Sequence, residues 1–410
     1  MPVAVKSASE VAGAVPLRAR QLTVLVCILF SAVAASVLIL KAATVPFFWL
    51  WLTWAAVLFA AMFFVRGDWP RAILSSLGIM AILMATVEVY CSAHEYKAPV
   101  YPDGGYFVHD DVLGWAPAKG IRAHAIKPSP AGLFHHSEGS LFDVIYTIDA
   151  NGLRIAPPYR KGDLAGTVLF FGCSFAFGEG LKDDETLPYQ VGAQSGGRYR
   201  TFNFSFHAYG PNHMLAEIEH GMVRRVVDTT PRYAFYIAIP GHVPRVAGRV
   251  NWGGHAPRYV LDADGTVHLA GYFGDRKPLA DRLGIHRGVR QLNKSAIWRT
   301  LDAIDPPITD DDIRLYFAVV RRSQELLTAQ YPGIQFRVIL WPDADPRERA
   351  LYEKLRAGFR QMGMPLDLVE EILPGYTTDR SKFLLSSVDH HPNALANQLL
   401  AQYVVSKILR

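Results

Sequence analysis

The stretch LFFGCSFAFGEGL, residues 169–181, decides the fold of this chain. It continues an apolar run that begins at Val168 and is typical of a buried strand, and Gly172 ends that run. Ser174 follows the predicted strand directly and precedes residues 182–191, whose acidic start favours a helix. Ligands bind at the carboxyl ends of the strands in an open α/β sheet. Its position therefore makes Ser174 a candidate nucleophile.

Beyond residue 167, apolar strands alternate with helices. This alternation predicts a parallel sheet that is covered on both faces. The predicted strands are 168–171, 200–206, 233–239 and 334–341, and the predicted helices lie near 186–195, 212–227, 310–330, 346–362 and 393–409.

The N-terminal part of the chain is strongly apolar. Hydrophobic residues make up 50% of the 410 residues and charged residues only 19%, and the excess is concentrated in residues 22–40, 42–65 and 72–91. Each segment has about the 20 residues needed to cross a bilayer. We predict three transmembrane helices in a membrane domain at residues 1–93. A cleaved signal peptide is the alternative for the first segment, but its apolar core would be too long.

Basic residues predict the orientation of these helices. Lys6, Arg18 and Arg20 precede the first segment, and Arg66 and Arg71 lie between the second and third. Basic loops stay on the cytoplasmic side. Three spans anchored in the cytoplasmic membrane would place the chain after about residue 94 on the extracytoplasmic side, in a periplasm or at a cell surface.

The charge and the cysteine and histidine content argue against a nucleic-acid-binding protein, a disulfide-stabilised domain and a zinc site. The net charge of +5, from 42 basic and 37 acidic residues, is mild and includes no basic stripe, so no nucleic-acid partner is expected. The cysteines Cys27, Cys91 and Cys173 offer no plausible disulfide in the soluble part. Histidines in residues 94–136 match no zinc pattern, and no metal is predicted.

The soluble part is predicted to have two regions. Residues 94–166 are rich in Pro, Gly, His and Tyr and are interpreted as a linker and a small β module with a strand at 141–148. Residues 167–410 form the α/β domain. An insertion at about 244–307 interrupts it and contains a predicted hairpin at 258–270, which turns at Asp264-Gly265.

Three later segments place polar residues beside Ser174. NFSFHAYG (203–210) and PGH (240–242) follow predicted strands, and DHHPN (389–393) precedes the last helix. Acyl transfer needs a nucleophile, a base, a group that orients the base, and donors for an oxyanion. These segments offer one candidate for each role.

The four segments together resemble those of the SGNH (GDSL-type) hydrolase family. Residues 171–190 resemble its first block, and residues 389–401, which include HPNA, resemble its last. The resemblance implies a flavodoxin-like three-layer α/β/α domain with a central parallel sheet. It also implies Ser174 as the nucleophile, His391 as the general base and Asp389 as the group that orients it. His390 is the rival base, but the family places the histidine directly before proline.

The oxyanion hole implied by the resemblance comprises Ser174, Ala208 and His242. Ala208 replaces a glycine of the family, and its N-H remains available if the backbone suits alanine. His242 replaces an asparagine; imidazole can also donate, although a packing role is the alternative. Cys173 replaces an aspartate. A thiol nucleophile is conceivable there, but a buried structural cysteine is favoured.

The predicted activity is that of a serine esterase that acts outside the cytoplasmic membrane on an acylated glycan or lipid, without a cofactor. One alternative is an O-acyltransferase that modifies an envelope or secreted polysaccharide. Three spans are too few for a pore that passes acyl-CoA, so a transferase would need a membrane partner as acyl donor. A second alternative is a protein that binds glycan or scaffolds a complex without catalysis.

Overall fold

The structure is a computed structural model, and it describes residues 17–42, 45–94, 98–129, 139–250, 252–275, 292, 294–302, 307–342 and 348–409. The chain divides into two compact units. The helical unit comprises residues 1–96, 132–135 and 279–302, and the α/β unit comprises residues 97–131, 136–278 and 303–410. The domain boundaries at 93 and 166 stay a prediction.

Two helices of the helical unit are long and apolar enough to cross a membrane, and a third is shorter. The prediction of three full-length spans is therefore wrong for the second one. Its helix has 14 residues instead of the predicted segment 42–65, because it begins after Pro46 and the chain turns at residues 62–64. At 1.5 Å per residue it measures about 21 Å, against about 30 Å of hydrocarbon. The helices are α1 (Leu17–Lys41), α2 (Phe48–Ala61) and α3 (Asp68–His94).

A segment from the predicted insertion contacts α1 and α3 at their carboxyl ends. Lys294 Nζ donates to the carbonyl oxygen of Ala42 at 2.9 Å. Ser295 Oγ donates to Glu88 at 2.7 Å, and the same carboxylate accepts from the N-H of Ala296, where a short helix begins. The ends of α1 and α3 therefore lie at the same end of this unit, so the two helices run in the same direction. This short helix is Ala296–Asp302.

A five-stranded parallel sheet forms the centre of the α/β unit, in the order β11-β10-β7-β5-β6. Counted along the chain within this sheet, the order is 2-1-3-4-5, which is the flavodoxin-like order. The prediction of a mixed α/β fold with a parallel sheet is confirmed. The sheet comprises β5 (Gly166–Phe171), β6 (Tyr199–Asn203), β7 (Pro231–Ala238), β10 (Gln335–Leu340) and β11 (Leu366–Leu368).

Both faces of the sheet are buried. Leu169 and Phe171 join one apolar cluster, whereas Val168 and Phe170 join the other, because alternate side chains of a strand point to opposite faces. In the numbering of the helices, α9 is the short helix Ala296–Asp302 of the helical unit. The helices of the α/β unit, which cover the two faces or lie near the site, are α4 (Ser174–Phe177), α5 (Leu187–Gln194), α6 (Pro211–Glu219), α7 (Met222–Val226), α8 (His242–Ala247), α10 (Asp310–Gln330), α11 (Arg349–Gln361), α12 (Val369–Ile372) and α13 (Ala394–Tyr403).

Two predicted elements differ from the structure. The helix predicted at 212–227 is broken, because Gly221 adopts a left-handed φ of +68° between α6 and α7. The strand predicted at 200–206 ends at Asn203, and residues 204–206 continue as irregular chain toward Ala208.

Antiparallel hairpins complete the α/β unit. The small β module consists of two hairpins, and a third lies in the insertion close to its predicted position. The module pairs are β1 (Phe107–Asp110) with β2 (Gly114–Pro117) and β3 (Arg122–Pro128) with β4 (Ser140–Thr147); the third is β8 (Pro257–Leu261) with β9 (Val267–Tyr272).

Arg154, which follows the β module, holds the chain beyond Ser174 in place. Its fully buried guanidinium donates to the carbonyl oxygens of Phe177 at 2.9 Å, Gly178 at 2.6 Å and Leu181 at 2.5 Å. Buried carbonyls without a donor would each cost about 1–3 kcal/mol. Arg154 therefore fixes the turn after α4, although it lies outside the alternating strands and helices of the central sheet.

Candidate active site

Ser174 lies at the point where the strand order of the sheet reverses. It begins α4 immediately after β5, between β6 on one side and β7 on the other. The chain that leads from β5 to Ser174 passes close to β7, and this requires a glycine at position 172. Its φ is +155°, and a Cβ there would lie 3.0 Å from the carbonyl oxygen of Ile237. Reversal points at the carboxyl edge are the usual ligand sites of such sheets.

The structure joins three of the sequence-predicted residues in one chain of hydrogen bonds. Ser174 Oγ lies 2.7 Å from His391 Nε2, and His391 Nδ1 lies 2.6 Å from Asp389 Oδ1. Asp389 Oδ1 also accepts from the backbone N-H of His391 at 3.1 Å. Asn393 caps α13 by accepting from the N-H of Ala396, so the segment that carries both residues is held at a helix start. This is the geometry of a nucleophile, a base and an orienting acid.

Lys127 of the β module pairs with the orienting carboxylate. Its Nζ lies 2.6 Å from Asp389 Oδ2, and both side chains are almost fully buried, with 4% and 1% exposed. Burial alone would raise the pKa of Asp389. The hydrogen bond and charge of His391, together with Lys127, hold that pKa well below its usual range. Asp389 is therefore ionised at neutral pH.

Glu179 also lies beside the base. Its Oε2 is 3.7 Å from His391 Nε2 and 2.7 Å from His207 Nδ1, and His207 Nε2 is hydrogen-bonded to the hydroxyl of Tyr106. Burial lowers the pKa of His391, but the charges of Glu179 and Asp389 outweigh it, so the net shift is upward. Glu179, His207, Tyr106 and Lys127 are not among the site residues predicted from the sequence.

His390, the rival base, lies outside this arrangement. Its side chain is exposed, and its Nε2 contacts the carbonyl oxygen of Ser387 at 3.3 Å. The hydrogen bonds to Ser174 and Asp389 are made by His391. The structure thus brings His391, and not His390, to Ser174 and Asp389.

Two backbone N-H groups are candidates for oxyanion donors. Within the described residues, the N-H groups of Ser174 and Ala208 donate to no backbone acceptor. Ala208 has a φ of +63°, a left-handed conformation that alanine rarely adopts. The backbone thus takes the conformation that the glycine of the resembled family would favour.

His242 is fully buried at the start of α8. Its Nδ1 lies 2.7 Å from the hydroxyl of Tyr236, and its Nε2 has no hydrogen-bond partner among the described residues. Burial, reinforced by the charge of Arg245, holds the pKa of His242 well below its usual value, so the ring is neutral. When Tyr236 donates to Nδ1, the imidazole proton resides on Nε2, which is then a buried donor without an acceptor.

Cys173 is buried and precedes Ser174 in the turn. It packs in the apolar cluster that also contains Ala176 and Phe170, whereas Ser174 makes the hydrogen bond to His391. This placement favours the structural role for the thiol.

The donor atoms of Glu179, Asp389 and His391 lie within 4.8 Å of one another, a spacing that could hold a metal ion. The Asp389 carboxylate already accepts hydrogen bonds from His391 and Lys127. A metal ion bound to either ring nitrogen of His391 would break the hydrogen bond of that ring to Ser174 or to Asp389.

A cavity of about 160 Å³ lies next to His391. It has room for about five groups of the size of water. Its described walls are mostly apolar, with the base and its carboxylate at one side: Phe175, Ile239, Pro342, Tyr376, Leu384, Asp389, His390 and His391.

Comparison with known proteins gives similar structures but no sequence family. No family model and no curated protein matches this chain. A lipolytic protein of the G-D-S-L family from Desulfitobacterium hafniense is 11% identical, with 58% of this chain and 98% of that chain covered and a TM-score of 0.32. The acetyl xylan esterase Est2A from Butyrivibrio proteoclasticus is 11% identical, with 66% of each chain covered and a TM-score of 0.31. A GDSL-like lipase from Bacteroides thetaiotaomicron is 12% identical, with 62% and 93% covered and a TM-score of 0.31.

The backbone of Ala208 yields a stability prediction. A left-handed conformation costs a residue with a Cβ about 1–2 kcal/mol, and the greater freedom of glycine in the unfolded chain offsets about 0.4–1 kcal/mol of that. Ala208→Gly should therefore increase the free energy of unfolding by about 0.5–1 kcal/mol, measured by denaturant titration of the full chain in detergent.

The control is Ala193→Gly in α5, where alanine is exposed and helical. That change should lower stability by about 1 kcal/mol. A loss of stability in both variants would contradict the strained conformation of Ala208.

Proposed function

We propose that this chain is a serine-dependent acyl-ester hydrolase anchored in a membrane. The observation that carries the proposal is the hydrogen-bonded sequence Ser174, His391 and Asp389 at the reversal point of the sheet. Similar geometry on unrelated folds activates a serine for acyl transfer.

The reaction has two steps. Ser174 Oγ attacks the carbonyl carbon of the ester while its proton moves to His391 Nε2. The tetrahedral adduct collapses, the bond to the leaving alkoxide breaks, and His391 gives its proton to that oxygen. Water then attacks the acyl-serine with His391 again as base, which releases the acid and restores the Ser174 hydroxyl. Asp389 stays ionised and keeps the imidazolium oriented.

In the described part of the chain, the N-H groups of Ser174 and Ala208 donate to no backbone acceptor, so both are available to an oxyanion. We assign them as donors, with the side chain of His242 as a third. We assign the cavity of about 160 Å³ beside His391 to the acyl group, and its volume suits a short one on a larger glycan or lipid alcohol. A sugar hydroxyl in place of water would make the same chemistry an O-acyltransferase, with a membrane partner as acyl donor.

We further propose that the α/β unit acts outside the cytoplasmic membrane. The carboxyl ends of α1 and α3 both contact residues 294–296, so the two long helices are parallel. If both cross the bilayer, α2 must return the chain across it despite its length. Aromatic side chains at the start of α2, Phe47, Phe48 and Trp49, suit an interface, and the bilayer can thin around a short span.

The nucleophile assignment gives a direct prediction. Ser174→Ala and His391→Ala should each lower hydrolysis of p-nitrophenyl acetate by about 10⁴-fold or more, and Ser174→Ala should abolish labelling by a fluorophosphonate. His268→Ala, at an exposed histidine of β9 outside the site, is the matched control and should retain a rate near that of the wild type. Labelling that persists in Ser174→Ala, or a wild type with no turnover of any acyl ester, would contradict an enzyme of this class. Mass analysis with an added polysaccharide separates transfer from hydrolysis.

A second prediction concerns His242. Removal of an oxyanion donor costs about 100- to 1,000-fold in turnover. His242→Phe keeps an aromatic ring but removes the donor, and it should reduce kcat by that factor, whereas His242→Asn should restore part of it. An unchanged kcat in folded His242→Phe would assign His242 to packing alone.

The topology is tested with single cysteines. In a chain with Cys27→Ser and Cys91→Ser, Asn151→Cys should react with a membrane-impermeant maleimide in spheroplasts, because residue 151 is exposed in the α/β unit. Asp68→Cys, at the first residue of α3, should react only after lysis. The reverse pattern would place the site in the cytoplasm.

A further inference from the structure

Glu179 places a second carboxylate beside the catalytic imidazole. Asp389 contacts His391 at Nδ1, while Glu179 Oε2 lies 3.7 Å from Nε2, the nitrogen that faces Ser174. The Glu179 side chain is only 7% exposed. Its backbone N-H donates to the carbonyl oxygen of Ser174 at 3.0 Å, so the carboxylate and the nucleophile belong to the same tight turn.

Hydrogen bonds to its carboxylate and to the backbone before it hold Glu179 in position. His207 donates from Nδ1 to the carboxylate, and the buried hydroxyl of Tyr106 holds the other ring nitrogen of His207. Arg154 binds the carbonyl oxygens of the two preceding residues, Phe177 and Gly178. Burial raises the pKa of Glu179, but the positive charges and the hydrogen bond of its histidine neighbours lower it to about 2. The group is therefore ionised and unable to act as a general acid.

More negative than positive groups lie in the immediate surroundings of the His391 ring. The described groups that face it are Asp389 on its own segment, Glu179 on the turn after α4 and Lys127 on β3, with His207 behind Glu179. Two carboxylates and one ammonium face the ring, so the charges nearest to His391 favour a proton on it. The charge of Glu179 therefore assists transfer of the Ser174 proton to His391.

We infer that Glu179 is a positioning residue that stabilises the imidazolium form of His391 in the acyl-transfer transition state, with the β module holding it in place through Tyr106. This inference rests on the proposed function. In each step the proton moves between the Ser174 hydroxyl, His391 Nε2 and the leaving oxygen, and Glu179 keeps its charge throughout.

Paired variants with opposite charge changes test this role. The rate of fluorophosphonate labelling and kcat/KM for p-nitrophenyl acetate are measured against pH in the full chain. His391 must be neutral to act as a base, so both rise with pH through its pKa. Glu179 raises that pKa and Lys127 lowers it. Glu179→Gln should move the acid limb of the profile about one pH unit lower, and Lys127→Met should move it higher.

The plateau rate distinguishes stabilisation of the imidazolium by Glu179 from a purely structural role of this residue. One unit of pKa corresponds to a tenfold change in the stability of the imidazolium, so Glu179→Gln should lose about tenfold at the plateau. Asp184→Asn, which removes an exposed carboxylate five residues away, is the matched control and should change neither quantity. Glu179→Asp keeps the charge and should place the acid limb between those of the wild type and Glu179→Gln. It serves as the test if Glu179→Gln does not fold.

Each outcome decides the inference. Movement of the two limbs in opposite directions supports it. An unmoved limb in folded Glu179→Gln, or limbs that move in the same direction, would overturn it. Neither result affects the nucleophile assignment, because wild-type labelling at Ser174 tests that assignment separately.

Discussion

The ion pair between Asp389 and Lys127 is the interaction on which the candidate site depends. The two groups lie 262 residues apart in sequence and 2.6 Å apart in space, and both are almost fully buried. A buried charge without a partner would be strongly destabilising, so each group requires the other. With Oδ2 committed to Lys127, Asp389 offers Oδ1 to His391, and the opposite ring nitrogen is thereby directed at Ser174. The β module, the last helix and the central sheet meet at this pair.

The sheet could be predicted because its strands are buried on both faces. Such strands appear in the sequence as apolar runs between turn-forming residues. β5, β7 and β10 were placed to within a few residues for that reason. β11 was missed because it has only three residues, and its sequence LDL has no distinctive pattern. The length of α2 was overestimated because hydropathy continues through Pro46 and through the turn after residue 61, where the backbone no longer follows a helix.

The site was predictable where a residue stands at the end of a strand or the start of a helix. Ser174, Asp389 and His391 all occupy such positions. Lys127 was missed because its role arises from tertiary contact, although strand alternation was a usable signal: in β3 it shares the buried face with Ala123 and Ala125. Glu179 carried a signal as well, as the one charged residue in the stretch 169–181, set between two glycines. His207 and Tyr106 carried none, because their roles depend on each other across about a hundred residues of chain.

The most direct test of the account is detection of the covalent intermediate. The full chain in detergent is mixed with an acetyl ester, quenched in acid within milliseconds and digested, and the peptides are analysed by mass spectrometry. The account predicts one acetyl group on the peptide that contains residues 173 and 174, with fragmentation that places it on Ser174 and not on Cys173. An adduct on the thiol, or turnover without any acylated peptide, would contradict it.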